Sequence, residues 1–208
     1  MVDQVLIPIL LSLKIVLVAT AGAFTAGVAL ARLLTRKTFS GKKLIESLVM
    51  LPMVLPPTVV GFGLLVLFGG HGPLGIFVRF LFGRQVLFTW WAAVIAAMVA
   101  AFPLVYQSAR GAFASVDFHQ EQAARTLGAN EARVFFTVTL PLAWPGIMSG
   151  LVLAFARALG EFGATLMVAG NIPGKTQTVP LAIYFAVESG DYRTAALLVA
   201  TTVLLSLP

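Results

Sequence analysis

Two opposite charges lie close together in a mostly apolar stretch, residues 155–184 (FARALGEFGATLMVAGNIPGKTQTVPLAIY). Arg157 and Glu161 are four residues apart, so a helix places them on one face. In the middle of a membrane span an unpaired arginine costs about 2.5–3.5 kcal/mol on insertion scales. We therefore expect the two side chains either to form a structural ion pair or to face a polar cavity. In the second case Arg157 would contribute positive potential to an anion pathway.

A second polar candidate follows a cluster of prolines in residues 51–63 (LPMVLPPTVVGFG). Pro52, Pro56 and Pro57 free backbone carbonyls, which a membrane span tolerates only where neighbouring groups satisfy them. The cluster predicts either a structural kink or a flexible lining of a transport pathway. Thr58, directly after the prolines, carries the side chain best placed to contact an anion.

The usual signatures of catalysis are missing from this sequence. There is no cysteine, which excludes thiol chemistry and thiolate metal sites. No phosphate-binding loop of the form GxxxxGK[ST] occurs, so this chain cannot itself hydrolyse ATP. His71 and His119 are expected in opposite aqueous compartments and cannot share a metal ion. We predict a chain that is not an enzyme and has no metal site or cofactor of its own.

Composition identifies the solvent of most of the chain as lipid. Of its 208 residues, 59% are hydrophobic and 11% are charged, whereas a soluble domain has roughly 45–50% apolar and about 25% charged residues. We predict an all-α integral membrane protein with one transmembrane domain over residues 1–208. The net charge of +6 is read as a topology signal, and no nucleic-acid partner is predicted.

Five stretches are long and apolar enough to span a bilayer, which takes about 20 residues. They are residues 5–34, 44–68, 88–113, 142–168 and 192–208. The loop after the first span contains Arg36, Lys37, Lys42 and Lys43, so the positive-inside rule places it in the cytoplasm. The N-terminus is then expected outside and the C-terminus inside. Two shorter apolar stretches, 76–82 and 178–187, are expected to lie along the membrane interface.

One substantial polar stretch, residues 114–141, lies on the predicted cytoplasmic side. Asp117 suits a helix N-cap with Gln120 at the third helical position, and Gly128 suits a left-handed C-terminal cap. Asn130 can cap a second short helix over residues 131–138. The stretch is either an amphipathic loop or a compact pair of helices, residues 117–141, that we call the knob.

The knob is similar to the EAA signature of ABC-importer permeases: Glu-Ala-Ala, three residues, Gly, nine residues, Ile, one residue, Leu-Pro. Gln122 stands where the glutamate usually is, with Glu121 beside it, and Val138 replaces the isoleucine. The resemblance implies a type I importer permease whose knob seats in a groove of an ATP-binding subunit. It assigns this docking role to Glu121 together with the matching positions Ala123, Ala124, Gly128, Leu140 and Pro141.

Residues 155–184 and 51–63 resemble molybdate permeases in particular. Sulfate permeases are similar but typically carry Tyr-Gly-Ser in place of Phe162-Gly163-Ala164. This resemblance implies the permease of a molybdate or tungstate importer in the cell membrane of a prokaryote. Two copies would enclose the pathway, with Thr58, Arg157 and Glu161 as its candidate residues. The implied partners are two ATPase subunits that bind ATP and Mg²⁺, and an extracytoplasmic binding protein. A sulfate permease and a passive channel or secondary carrier remain the alternatives.

Overall fold

The computed structural model describes residues 2–36 and 39–206, and every regular element within them is a helix. Lys37, one of the charges used for the topology, lies outside the described residues. The elements are α1 (Val2–Thr35), α2 (Lys42–Val54), α3 (Pro57–Phe68), α4 (Pro73–Phe82), α5 (Trp90–Ala114), α6 (Phe118–Thr126), α7 (Glu131–Val134), a π-helical turn (Phe135–Thr139), α8 (Leu140–Leu159), α9 (Gly163–Ala169), α10 (Val179–Glu188) and α11 (Tyr192–Ser206). The all-α prediction is confirmed.

The centre of the molecule is formed by α1, α5 and α8. Their shared core is built largely from small side chains, which let helix backbones approach closely in a membrane. Buried alanines at this contact include Ala19, Ala23, Ala97, Ala101 and Ala154. Three continuous helical segments are long and apolar enough to cross a bilayer: Gln4–Thr35, Trp90–Ala114 and Glu131–Leu159.

Two glycines of α8 bring it into close contact with α5. A Cβ on Gly146 would lie 2.7 Å from the Cβ of Ala112, and a Cβ on Gly150 would lie 2.7 Å from the Cβ of Ser108. Real Cβ atoms do not approach so closely, so the backbone spacing depends on glycine at both positions. The pattern small-xxx-small therefore lies at a helix contact here.

Residues 44–68, expected as one span, form two helices whose axes differ by 116°. The residue before a proline disfavours helical geometry, and Leu55 is accordingly extended, with φ −76° and ψ 144°. Pro57 then occupies the first turn of α3, where its missing N–H is no loss. The proline cluster thus breaks the helix and turns the chain, a larger change than a kink.

The expected span 142–168 also differs from the structure. Its helix begins earlier, at Glu131, and α8 ends at Leu159; α9 then starts separately at Gly163. The apolar composition of the whole stretch hides this break, because Gly160–Phe162 contains only one charge. Residues 142–168 therefore comprise the C-terminal part of α8, a short break, and most of the short helix α9.

The remaining expected elements correspond to observed helices. The spans 5–34 and 88–113 correspond to α1 and α5, and the interfacial stretches correspond to α4 and α10. The last expected span corresponds to α11, which at 15 residues is shorter than the length a crossing requires. By length and composition, the described helices therefore give three spans, or four if the bent pair α2–α3 counts as one.

Candidate functional site

The first helix of the knob, α6, is capped at its N-terminus and is followed by a glycine turn. The carboxylate of Asp117 accepts the backbone N–H of His119 at 2.9 Å, so the N-cap is present. The reciprocal bond expected from Gln120 is not among the described contacts. Gly128 has φ +83°, the left-handed geometry that the sequence predicted. Asn130 caps the next helix by accepting the N–H of Arg133 at 2.9 Å.

The second helix of the knob is not a separate element, contrary to the expectation for residues 131–138. It is the start of one continuous segment, which passes from α7 through the π-helical turn into α8. Leu140 and Pro141 therefore lie inside this segment and not at a loop–span junction. A continuous helical segment therefore joins the knob to α8.

Glu121 lies at the centre of a charged cluster inside the knob and is 9% exposed. Its carboxylate accepts hydrogen bonds from the Arg36 guanidinium at 2.5 Å and from the Thr139 hydroxyl at 2.5 Å. Arg125 lies 3.2 Å from the second carboxylate oxygen of Glu121 and 2.6 Å from Glu131. Arg36 also reaches Glu131, at 2.6 Å. Two arginines and two glutamates thus form a charge-balanced network, which we call the Arg36–Glu131 cluster.

The environment of Glu121 keeps its carboxylate ionised. Burial alone would raise the pKa of Glu121, but the hydrogen bond from Thr139 and the charge of Arg36 outweigh burial. The pKa of Glu121 therefore lies below its ordinary value. The ionised form is the one that binds both arginines.

Glu121 and Gln122 differ in burial, which bears on the altered EAA signature. Glu121 is buried and bound within the knob, whereas Gln122 and Ala123 are exposed and Leu127 is 89% exposed. Glu121 therefore positions the knob from inside. The exposed surface of α6 and of the turn after it includes the small side chain of Ala123 and the apolar side chain of Leu127.

Sequence reasoning missed Arg36 and Thr139 as members of this site. Arg36 was used only as a topology charge, and Thr139 is a lone hydroxyl in an apolar run. They lie 85 and 18 residues from Glu121, so no local spacing could pair them. The only available signal was that Thr139 and Arg36 flank predicted spans on the same side.

The structure brings the other candidate residues together at the start of α9. Arg157 and Glu161 form an ion pair at 2.7 Å, and the Glu161 side chain is almost fully buried. The second oxygen of Glu161 accepts the backbone N–H of Ala164 at 2.9 Å. Glu161 therefore ties the end of α8 to the first turn of α9 across the break between them.

Thr58 lies beside the same break. A Cβ on Gly163 would lie 2.8 Å from the Cβ of Pro57 and 3.6 Å from the backbone nitrogen of Thr58. Further along, a Cβ on Gly61 would lie 2.9 Å from the Cα of Ala164. The half-helices α3 and α9 thus start next to each other and pack closely, with their N–H-bearing ends at one place. Such ends favour negative charge.

Comparison with known proteins agrees with this architecture. The family described as "Binding-protein-dependent transport system inner membrane component" matches residues 6–208. The chain is 50% identical over 184 residues to a putative molybdenum transport system permease protein, YvgM, of Bacillus subtilis (strain 168), covering 88% of this chain and 81% of the relative. It is 51% identical over 181 residues to the molybdenum transport system permease protein ModB of Escherichia coli (strain K12), covering 87% and 79%.

More distant matches extend the comparison. A probable sulfate transport system permease protein, cysT, of Chlorella vulgaris is 35% identical, covering 84% of this chain and 65% of the relative. Among solved structures, the inward-facing MetNI methionine ABC transporter matches with a TM-score of 0.76 at 17% identity, covering 98% of this chain and 89% of that one. An amino acid ABC transporter with histidines matches at 0.67 and 20%, covering 98% and 87%. These two structures show the fold alone. The matched family and the high identities show that this chain belongs to the inner-membrane components of binding-protein-dependent transport systems.

Proposed function

We propose that this chain is the membrane permease subunit of an ATP-driven importer for molybdate or tungstate. The observation that carries the proposal is the identity of 50–51%, over nearly nine-tenths of the chain, to permeases named for molybdenum transport. Families of this kind work with a binding protein on one side of the membrane and an ATPase on the other. The sulfate-permease relative is more distant, at 35% identity. We therefore propose molybdate or tungstate, in preference to sulfate, as the transported substrate.

The knob is the proposed docking site for the ATPase. Its exposed face carries Ala123 and Leu127, and small side chains allow a partner surface to approach the backbone. Ala124, Gly128, Leu140 and Pro141 keep the docking role that the EAA resemblance gives them, whereas Glu121, which is buried, would support docking from inside the knob. ATP and Mg²⁺ would bind the partner, and this chain would be a non-catalytic subunit.

The anion pathway is proposed to run between two copies of the chain, past the place where α3 and α9 begin. Thr58 is exposed in the single chain and lies in the first turn of α3. Arg157 is about one-third exposed and already bound to Glu161, so the pair has no net charge. An oxyanion would therefore be held mainly by hydroxyl and backbone N–H donors. Arg157 would add local positive potential on its exposed side.

A pair of variants tests the role of Arg157. If positive potential matters, Arg157→Lys keeps oxyanion uptake and Arg157→Ala loses it. Full uptake by Arg157→Ala would exclude a role in the pathway. Expression and detergent-extracted yield of both variants serve as the check that the fold persists.

The function itself is tested with the chain reconstituted in liposomes together with its ATPase and binding protein. We expect ATP-dependent uptake of radiolabelled molybdate that excess tungstate abolishes and excess sulfate leaves largely intact. Preferential inhibition by sulfate would move the cargo to the sulfate class. Uptake by liposomes that lack the ATPase would instead identify a passive channel or secondary carrier.

The proposed topology has the N-terminus outside and the C-terminus in the cytoplasm. Since the chain contains no cysteine, single cysteines report sidedness without background. Lys175→Cys, at an exposed position, should react with a membrane-impermeant maleimide in intact cells, and Lys43→Cys, also at an exposed position, should react only after lysis. The reverse pattern would overturn the orientation.

A further inference from the structure

Arg36, at the cytoplasmic end of α1, is bound to both halves of the knob. One guanidinium nitrogen binds Glu121 on α6 at 2.5 Å, and the other binds Glu131 on α7 at 2.6 Å. These glutamates lie on either side of the turn at Gly128. A single side chain thus bridges two helices that are also joined by that turn, by Arg125 and by the hydrogen bond between Thr139 and Glu121.

A second arginine attaches the same end of α1 to the π-helical turn. Arg32 lies one helical turn before Arg36, and its guanidinium carbon is 4.4 Å from the ring centroid of Phe135 and 5.9 Å from that of Phe113. Contacts of this kind contribute about 0.5–2 kcal/mol, depending on desolvation. Phe135 begins the π-helical turn, and Thr139, which binds Glu121, ends it. π-Helical turns inside α-helices are frequent at functional sites.

The other end of α1 reaches a different part of the molecule. At 34 residues and 1.5 Å per residue, α1 is about 50 Å long. The hydroxyl of Ser12, on its N-terminal half, accepts the backbone N–H of Val179 at 2.7 Å, and both residues are buried. Val179 is the first residue of α10, which follows the loop after the half-helix α9. One continuous helix therefore connects the knob to the segment that follows the proposed pathway.

We propose that α1 is a second transmission element beside α8, and that Arg36 is the positioning residue that attaches it to the knob. Movement of the knob is then carried into the membrane along two helices: α8, which is continuous with it, and α1, which is held by ion pairs. This inference rests on the proposed function in one respect, namely that an ATPase moves the knob. It predicts that without Arg36 the knob still docks but α1 follows it less, because the attachment then depends on the contact between Arg32 and Phe135.

Transport and ATP hydrolysis are measured side by side for wild type, Arg36→Gln and Arg36→Lys. The matched control is Lys43→Gln, which removes one positive charge from an exposed position in the same cytoplasmic loop. We expect the ATPase to copurify with every variant and to hydrolyse ATP. The number of oxyanions transported per ATP should fall about fivefold or more in Arg36→Gln, the lower range of typical coupling between sites. Lys43→Gln should retain the wild-type ratio, and Arg36→Lys should recover part of it. An unchanged ratio in Arg36→Gln, or loss of ATPase copurification, would overturn the proposal.

A readout that needs no cargo separates this inference from the proposed function. Amide hydrogen exchange is followed on the purified complex with and without a non-hydrolysable ATP analogue. In wild type, the analogue should change exchange both in α6 and in the last turn of α1. In Arg36→Gln the change should remain in α6 and become smaller in α1. A response of α1 that is as large in Arg36→Gln as in wild type, or that is absent in wild type, would refute the relay. A wild-type complex that hydrolyses ATP but transports none of the three oxyanions would refute only the proposed cargo.

Discussion

Replacing Glu121 by glutamine should loosen the knob without changing its shape. Glutamine keeps the volume of the side chain and an oxygen that Thr139 can bind, but it loses the charge that holds Arg36 at 2.5 Å and Arg125 at 3.2 Å. Hydrogen bonds to charged groups contribute about 1.5–3 kcal/mol each. The side chains of Arg36 and Arg125 are 31% and 24% exposed, so hydration of the two guanidinium groups offsets part of the free energy lost with these hydrogen bonds. We expect a loss of about 2 kcal/mol, roughly 30-fold in the equilibrium between the fixed and the released knob.

Hydrogen exchange measures this equilibrium directly, because local opening controls the exchange of protected amides. The amides of α6 should exchange roughly 30-fold faster in Glu121→Gln than in wild type, with the amides of α5 unaffected. The matched control is Gln122→Ala, at the exposed neighbouring position where the EAA signature usually has glutamate. Its substitution should leave the protection of α6 unchanged.

Two results would contradict this account of the knob. If α6 is protected in Glu121→Gln as strongly as in wild type, the Arg36–Glu131 cluster does not hold α6 in place. Equal loss of protection in Gln122→Ala would mean that the protection of α6 depends on the intrinsic stability of this helix and not on the ion pairs that Glu121 forms. Weaker ATPase docking in Gln122→Ala alone is compatible with the reasoning, because Gln122 lies on the exposed face.

Three further predictions concern separate parts of the chain. Because folding lowers the pKa of Glu121, this side chain stabilises the knob at pH values above its ordinary pKa of 4.5, and the stabilisation is lost as the pH falls through the lower pKa of the folded state. The protection of the α6 amides, corrected for intrinsic exchange rates, should fall over that pH range in wild type and not in Glu121→Gln. Gly61→Ala should lower the thermal unfolding midpoint in detergent, because the new Cβ would lie 2.9 Å from the backbone of α9, and overpacking costs about 1–3 kcal/mol. Gly63→Ala should not lower the midpoint, because a Cβ there meets nothing within 4 Å, and equal effects of the two substitutions would refute the packing argument. Glu161→Gln should lower both the unfolding midpoint and uptake, because it leaves Arg157 without its charge partner; unchanged values for both would show that the pair positions nothing.

Local signals in the sequence predicted local structure well. Asp117, Gly128 and Asn130 predicted the caps of the knob, because capping acts between residues only two or three positions apart. The spacing of Arg157 and Glu161 placed them on one helix face for the same reason, and the ion pair is one of the two arrangements expected there. Helix breaks were predicted less well. The prolines at 56 and 57 indicated a kink but not a bend of 116°, and the break after Leu159 had no strong signal.

The sequence by itself determined that the chain is all-helical, that most of it is apolar, and that residues 114–141 form its one substantial polar stretch. These properties follow from composition and from interactions within one or two helical turns. Only the tertiary structure decided that Glu121 faces inward to Arg36 and Thr139, and that α3 and α9 begin side by side. The reason is physical: these contacts join residues that are far apart along the chain, and the packing of small residues between helices sets which of them meet. A sequence without an alignment contains the small residues but not the register in which they pack.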